Sequence, residues 1–300
     1  MADIHAAAIQ AGSILFDLDR TIEKAVDYLG TAAATGAELV VFPEAFLGGY
    51  PKGLDFGARV GSRTAEGRSM FRRYYESAID VPGRVTDVIG AACRDRCVHA
   101  VMGCIERDGG TLYCTVLFFS PEGALLGKHR KVMPTAMERL IWGFGDSSTL
   151  TVLETPIGRL GAVICWENYM PLLRTAMYQK GIQLYCAPTV DDRETWAVTM
   201  RHIALEGRCF VISACRFLRR GDCPAEYPAV QGDAPETVLI RGGSTIIDPL
   251  GQVLAGPRHD GECILTAEID LGVIAEGKFD LDVVGHYARP DLFRLEVKDP

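Results

Sequence analysis

Gly161-Ala162-Val163-Ile164-Cys165-Trp166-Glu167-Asn168 is the stretch on which the fold class turns. Small and β-branched apolar residues run without interruption into the cysteine, the pattern of a strand buried on both faces. Pro171 then precedes Leu172, Leu173, Ala176 and Met177, and the pattern stops at Lys180-Gly181, which predicts a helix beginning near Pro171. Cys165 therefore falls at a corner between strand and helix. In open α/β sheets such strand ends are where ligands bind.

Working outward, similar apolar runs recur at 4–10, 38–43, 99–106, 113–119, 160–165, 183–187, 210–216, 243–248 and 262–269, each short enough to be a buried strand. Helical patterns lie between several of them. Ile22, Ala25, Val26, Leu29 and Ala33 close at Gly36, and Val85, Val88, Ile89 and Ala92 follow Pro82-Gly83. Asp108-Gly109-Gly110 and Pro121-Glu122-Gly123 carry tight-turn chemistry and predict a hairpin edge across 107–131. The stretch 48–75 reads as a loop plus helix beside the site, and 218–241, with Arg219-Arg220-Gly221-Asp222 and several prolines, as a surface excursion. No repeat or long linker divides the 300 residues, so one domain over 1–300 is expected.

Bulk properties narrow the function. Hydrophobic residues make up 48% and charged residues 23%, ordinary globular usage that supplies a substantial core. A formal charge of -8 without a basic cluster argues against nucleic acid as a partner. No apolar stretch approaches the ~20 residues that span a bilayer, and Met1 to Gln10 lacks a signal-peptide pattern; a cytoplasmic protein without membrane partners is expected. The 10 cysteines are dispersed, and Cys104, Cys114, Cys186 and Cys209 sit in apolar runs, as reduced core thiols do. Cys93, Cys97 and His99 have no second cluster to complete a four-ligand site, and no His-Glu-x-x-His occurs, so no metal is expected.

Three places could carry chemistry. Phe42-Pro43-Glu44-Ala45-Phe46 puts a carboxylate among apolar residues at a strand end, where desolvation would make it a base or acid usable near neutral pH; the alternative is a surface glutamate in a turn. His129-Arg130-Lys131 is by composition a solvated basic face, but a lysine held by Glu138 would stay cationic and could stabilise developing negative charge. Cys165 is either an inert buried thiol or a nucleophile. A thiol needs a base, and its attack creates charge that needs a cation, so glutamate, lysine and cysteine together meet the requirements without histidine.

At these residues the chain resembles the nitrilase superfamily, specifically its true nitrilase branch. Phe-Pro-Glu-Ala-Phe-Leu-Gly-Gly-Tyr-Pro (42–51), His-Arg-Lys-Val-Met-Pro-Thr-Ala-Met-Glu-Arg-Leu (129–140) and Cys-Trp-Glu-Asn-Tyr-Met-Pro-Leu-Leu-Arg (165–174) stand in family order. Tyr185-Cys-Ala-Pro-Thr, Arg201-His202-Ile-Ala-Leu-Glu-Gly and Gly285-His-Tyr-Ala-Arg-Pro-Asp extend the similarity across nearly the whole chain. The resemblance implies an α/β fold of four layers, an α-β-β-α sandwich, and a homodimer or higher homo-oligomer formed through outer helices, with the tail 286–300 at the subunit interface. The chain ends ten residues after Pro290, shorter than many nitrilase tails, which weighs against long spirals.

By the same resemblance Cys165 is the nucleophile, Glu44 the general base, Lys131 the stabiliser of the tetrahedral intermediate, and Glu138 positions Lys131 or substrate. Trp-Glu-Asn after the cysteine is similar to nitrilases, whereas many amidase and carbamoylase branches differ there. A nitrilase is therefore implied, acting on a small-molecule nitrile through a thioimidate and a thioester, with no cofactor. A backbone N–H near Trp166 would share in holding the anionic stages. The alternatives are an amidase or N-carbamoyl hydrolase with the same residues, and a catalytically silent binding protein. Tyr50 (with Gly48 and Gly49), Trp142, Trp166, Thr189, Val190 and Trp196 are expected to line the pocket, their aromatic content pointing to arylaliphatic or aromatic nitriles. His129 and His202 are expected to be structural.

Overall fold

Side chains alternate across each long strand, and that alternation builds the layers. In the computed structural model, which describes residues 3–298, Ala6 and Ala8 face one core while Ala7 and Ile9, between and beyond them, face another. The strands are Ile4–Gln10 (β1), Leu39–Val41 (β2), His99–Asp108 (β3), Thr111–Phe119 (β4), Leu125–Arg130 (β5), Val152–Thr155 (β6) and Gly158–Ala162 (β7) in the first part of the chain. Leu184–Cys186 (β8), Phe210–Ser213 (β9), Phe217–Arg219 (β10), Val238–Arg241 (β11), Thr245–Ile247 (β12), Val253–Ala255 (β13) and Cys263–Ile269 (β14) follow. Six helices accompany them: Leu18–Ala34 (α1), Ala65–Ser77 (α2), Arg84–Arg96 (α3), Pro171–Gln179 (α4), Glu194–Gly207 (α5) and Gly272–Asp280 (α6).

Two six-stranded sheets result, ordered β14-β1-β2-β3-β4-β5 and β13-β12-β9-β8-β7-β6. Each has three parallel strands at its centre, β1-β2-β3 and β7-β8-β9, with antiparallel strands outside. Leu39 and Val41 of the first sheet and Leu184 and Cys186 of the second share the core between the sheets. The opposite faces, Val40 and Tyr185, pack under helices. Ile22, Ala25, Leu29 and Ala32 of α1 and Ile89, Ala92 and Cys93 of α3 cover the first sheet; Leu173, Ala176 and Met177 of α4 and Trp196, Met200 and Ile203 of α5 cover the second. This is the α-β-β-α order. Each fully buried Leu or Ile contributes about 1.5–3 kcal/mol to holding it.

Local signals explain the helix ends. Asp17 caps α1 by accepting from the Arg20 N–H, and Pro171 occupies the first turn of α4, where its missing N–H costs nothing. The chain departs from the simplest sequence expectation at two places. The strand leading to Cys165 stops at Ala162, and a 3-10 turn over Cys165–Tyr169 intervenes before α4; with φ +49, Cys165 leaves the extended path that Ile164 still follows. The 218–241 segment is not wholly superficial: β10 and β11 pair as a ribbon that buries Leu218, Leu239 and Ile240. Strands of three and four residues between prolines are too short to show a period in sequence.

Candidate active site

Three strand ends converge in the inter-sheet layer. Glu44 follows β2, Lys131 follows β5 directly, and Cys165 lies three residues beyond β7. The turn carrying Glu44 lies flat on β3 at Gly103, where a Cβ would come within 2.0 Å of the Pro43 carbonyl oxygen. Only glycine allows that approach. Lys131 N donates to the Cys114 carbonyl, extending the β4–β5 ladder by one bond.

Glu44 and Lys131 are both fully buried, with Lys131 Nζ 2.7 Å from Glu44 Oε1 and 2.8 Å from Glu138 Oε2. Glu138, in a 3-10 turn, also accepts from the Thr135 N–H at 2.6 Å and from the Tyr50 hydroxyl at 2.9 Å. Cys114 Sγ, 3.5 Å from Glu44 Oε1, approaches the same oxygen as the lysine. Glu44 Oε2 has no hydrogen-bond partner among the described residues. One oxygen is thus fixed and the other is free to take a proton.

Electrostatics follow from one cation facing two carboxylates in a dry site. Desolvation pushes the Glu44 carboxyl above its ordinary 4.5, opposed by Lys131 and reinforced by Glu138. Burial alone would lower Lys131, but Glu44 and the surrounding thiols and carboxylate outweigh it and hold the ammonium above its usual value. Burial also raises the Cys165 thiol, with Glu44 adding to the effect, so at rest sulfur keeps its proton. The thiol needs a base at the moment it reacts.

Cys165 sits in the left-handed region, a conformation costing about 1–2 kcal/mol for a non-glycine residue. Its surroundings compensate. Its N–H donates to the Pro188 carbonyl at 2.9 Å, and Asn168 Nδ2 donates to both the Cys165 and Val163 carbonyls. Among the described residues the Trp166 N–H has no backbone acceptor, unlike those of Cys165 and Glu167 on either side. A donor is therefore available beside the sulfur.

A cleft of about 200 Å³ opens onto Cys165, lined by Tyr50, Glu138, Trp166, Val190, Lys52 and Arg193. A larger cavity, about 730 Å³, lies elsewhere, between the start of α1 and residues 221–224, and contains none of the three central groups. Of the expected lining residues, Tyr50, Trp166 and Val190 face the cleft. Thr189 does not; it is buried behind the sulfur and donates to Cys165 Sγ at 3.2 Å. Trp142 is displaced too, lying under Lys131 with its ring 5.7 Å from Nζ, donating to the Tyr74 hydroxyl and bordering a neighbouring cavity of about 260 Å³.

Trp196 requires the largest correction. It is 1% exposed on the inner face of α5, donates to Ser213 Oγ at 2.9 Å and belongs to the outer core of the second sheet. An aromatic near a motif in sequence is here a packing residue on the far side of a sheet.

Several residues were not singled out from sequence. Asp191 accepts from Trp166 Nε1 at 2.8 Å and from Arg193, whose guanidinium lies 4.8 Å from the Trp166 ring, so these two fix the indole at the cleft. Lys52 gave no signal beyond its place two residues after Tyr50. In the sequence Cys114 has the setting of a core thiol, and Glu167 is one residue of the motif after Cys165. Neither its charge nor its spacing revealed that it is fully buried.

Comparisons with known proteins point to one family. The profile of the family described as carbon-nitrogen hydrolase matches residues 5–279. An aliphatic nitrilase of Sinorhizobium fredii is 58% identical, covering 100% of this chain and 97% of the relative. A nitrilase of Bradyrhizobium diazoefficiens is 59% identical over 98% and 92%, and a bifunctional nitrilase/nitrile hydratase of Lupinus angustifolius 56% identical over 99% and 86%. Among solved structures, Saccharomyces cerevisiae Nit3 superposes with a TM-score of 0.71 at 22% identity, over 95% of this chain and 96% of that one. The C. elegans NitFhit protein gives 0.75 at 20% identity over 100% and 68%. These two speak to the fold.

Proposed function

Since the chain belongs to the carbon-nitrogen hydrolase family, in its nitrilase branch, we propose that it hydrolyses a small organic nitrile to the carboxylic acid and ammonia, with Cys165 as nucleophile. The observation that carries the assignment of roles is Glu44 Oε2, without a conventional hydrogen-bond partner among the described residues and near enough to the Cys165 thiol for each group to shift the other, with Lys131 locked against Glu44's other oxygen.

Glu44 takes the Cys165 proton as sulfur bonds to the nitrile carbon, and passes it to the nitrogen, giving a neutral thioimidate. A water gives a proton through Glu44 and adds to that carbon. The C–N bond of the tetrahedral species breaks, the nitrogen leaves with a further proton as ammonia, and a thioester remains. A second water, again deprotonated by Glu44, attacks the thioester; the C–S bond breaks and sulfur recovers its proton. The sum is one nitrile and two waters giving one acid and one ammonia. Lys131 and the Trp166 N–H oppose the negative charge that appears on nitrogen or oxygen at each addition.

Trp196, one of the aromatics that favoured an aryl substrate, lies outside the cleft, and the Sinorhizobium fredii relative at 58% identity is an aliphatic nitrilase. A short aliphatic nitrile fits this better. Ammonia and amide released from short aliphatic, arylaliphatic and aromatic nitriles, and from the matching amides, test the proposal. Faster turnover of amide or N-carbamoyl compounds than of any nitrile would favour the other branches of the family.

The enzyme is read as a cytoplasmic homo-oligomer. Free thiols at all ten cysteines suit a reducing compartment, and no helix of the described residues is long and apolar enough to cross a membrane. Leu172 and Val198 on the outer helices α4 and α5, and Tyr287, Leu292 and Phe293 of the tail, expose apolar surface suited to a second copy. Light scattering in solution checks this.

A further inference from the structure

Glu167 is a fully buried carboxylate that touches neither the cleft nor the three central groups. Its contacts nevertheless lie one residue away from two of them. Oε1 accepts from the N–H of Val132, the residue after Lys131, at 2.6 Å. Oε2 accepts from the N–H of Ile164, the residue before Cys165, at 2.9 Å. Val132 continues from the first sheet and Ile164 from the second, so a single carboxylate spans the two sheets at the point where each delivers a reactive side chain.

His129 completes the arrangement. Its Nε2 lies 3.1 Å from Glu167 Oε2 and its Nδ1 3.2 Å from the Thr149 carbonyl, so the ring bridges the carboxylate to that carbonyl. A carboxylate held by two backbone N–H groups and a ring nitrogen in a dry layer is rigidly oriented, because any rotation leaves a buried polar group unmatched. Thr149 in turn accepts the Arg130 N–H through its hydroxyl, closing the frame on the strand that carries Lys131.

We propose that Glu167, oriented by His129, is a positioning residue that sets the separation of Lys131 from Cys165. This revises the expectation that His129 is merely structural, and it rests on the proposed roles of Cys165 and Lys131. Misplacement of reacting groups by about 1 Å can cost on the order of 10²-fold in rate. The loss falls on turnover, since neither residue meets substrate.

The test compares Glu167→Gln, His129→Leu and His129→Gln in the full chain. Three readouts are used: steady-state ammonia release, the rate of Cys165 alkylation by iodoacetamide, and thermal denaturation. Glu167→Gln replaces one acceptor oxygen with an amide NH₂ that opposes a backbone N–H. His129→Leu removes the donor, and His129→Gln keeps an N–H directed at Glu167. The first two are expected to lower kcat about 30-fold or more with KM within about threefold, and to slow alkylation about tenfold; His129→Gln is expected to recover most of both. Alkylation needs no substrate, so it tests the positioning role even if no nitrile proves to be turned over. If Glu167→Gln fails to fold, the contrast between the two His129 variants decides. Variants that melt earlier but keep wild-type kcat and alkylation rate per folded molecule would overturn the proposal.

Discussion

Lys131 Nζ lies 2.7 Å from Glu44 Oε1 with both side chains out of reach of solvent, although they are 87 residues apart in sequence. Such a pair is expensive to bury and rewards the fold only through good geometry. Here the geometry does something more specific: it occupies one oxygen of Glu44 and leaves the other free.

Replacing Lys131 with Met would leave the buried Glu44 and the partly exposed Glu138 without their cation. A loss of about 3–5 kcal/mol in stability is expected, the range for stranding one partner of a buried ion pair. Turnover should fall on the order of 10³-fold, with KM changing much less. Urea denaturation and steady-state kinetics measure the two; an effect confined to KM would place Lys131 in substrate binding instead.

The base must be ionised to take the thiol proton, and desolvation holds Glu44 above 4.5. Activity is therefore expected to fall on acidification at a pH above that value, in kcat/KM against pH. Stability runs the other way: a folded-state value raised above the unfolded one gives a contribution present below 4.5 and lost as pH rises through the folded value. Glu44→Gln should remove the acid limb together with nearly all activity. An acid limb at or below 4.5 would show that Glu44 is not the desolvated base described.

Glu138→Gln is expected to act through Lys131 and not through substrate. The NH₂ of Gln must face either the Tyr50 hydroxyl or the Thr135 N–H and the ammonium together, so the set of contacts Glu138 accepts cannot be kept whole. A 10- to 100-fold loss in kcat, at roughly constant KM, is the expected outcome of initial-rate measurements.

Two of the three tryptophans expected from sequence to line the pocket should separate cleanly. Trp166→Ala, at the cleft and 41% exposed, should change relative rates across a nitrile series while moving Tm little. Trp196→Ala opens the outer core and should cost about 3–5 kcal/mol, leaving the ranking of substrates unchanged in whatever fraction folds. A changed ranking in the Trp196 variant would contradict its placement behind the sheet.

What the chain disclosed before its structure was known divides along physical lines. Buried strands such as 4–10 and 262–269 announce themselves because apolar runs of that length have few alternatives, and α4 because Pro171 and Gly181 punctuate it. Glu44, Lys131 and Cys165 could be named because each ends an apolar strand and because three long motifs match a known family. Long-range placement was not legible. Nothing local in Trp196 says which side of a sheet its helix will present, and nothing in Glu167 says that two backbone N–H groups from different sheets will meet it. The left-handed backbone at Cys165 likewise depends on the Pro188 carbonyl and Asn168.

The central claim, that Cys165 forms the covalent bond to substrate, is tested most directly by quenching the enzyme in acid during turnover of a nitrile and weighing its peptides. An acyl or imidate mass on the peptide containing Cys165, absent from Cys165→Ala, which also releases no ammonia, is the result expected. Ammonia release by Cys165→Ala at the wild-type rate, or an adduct borne by another residue, would contradict it.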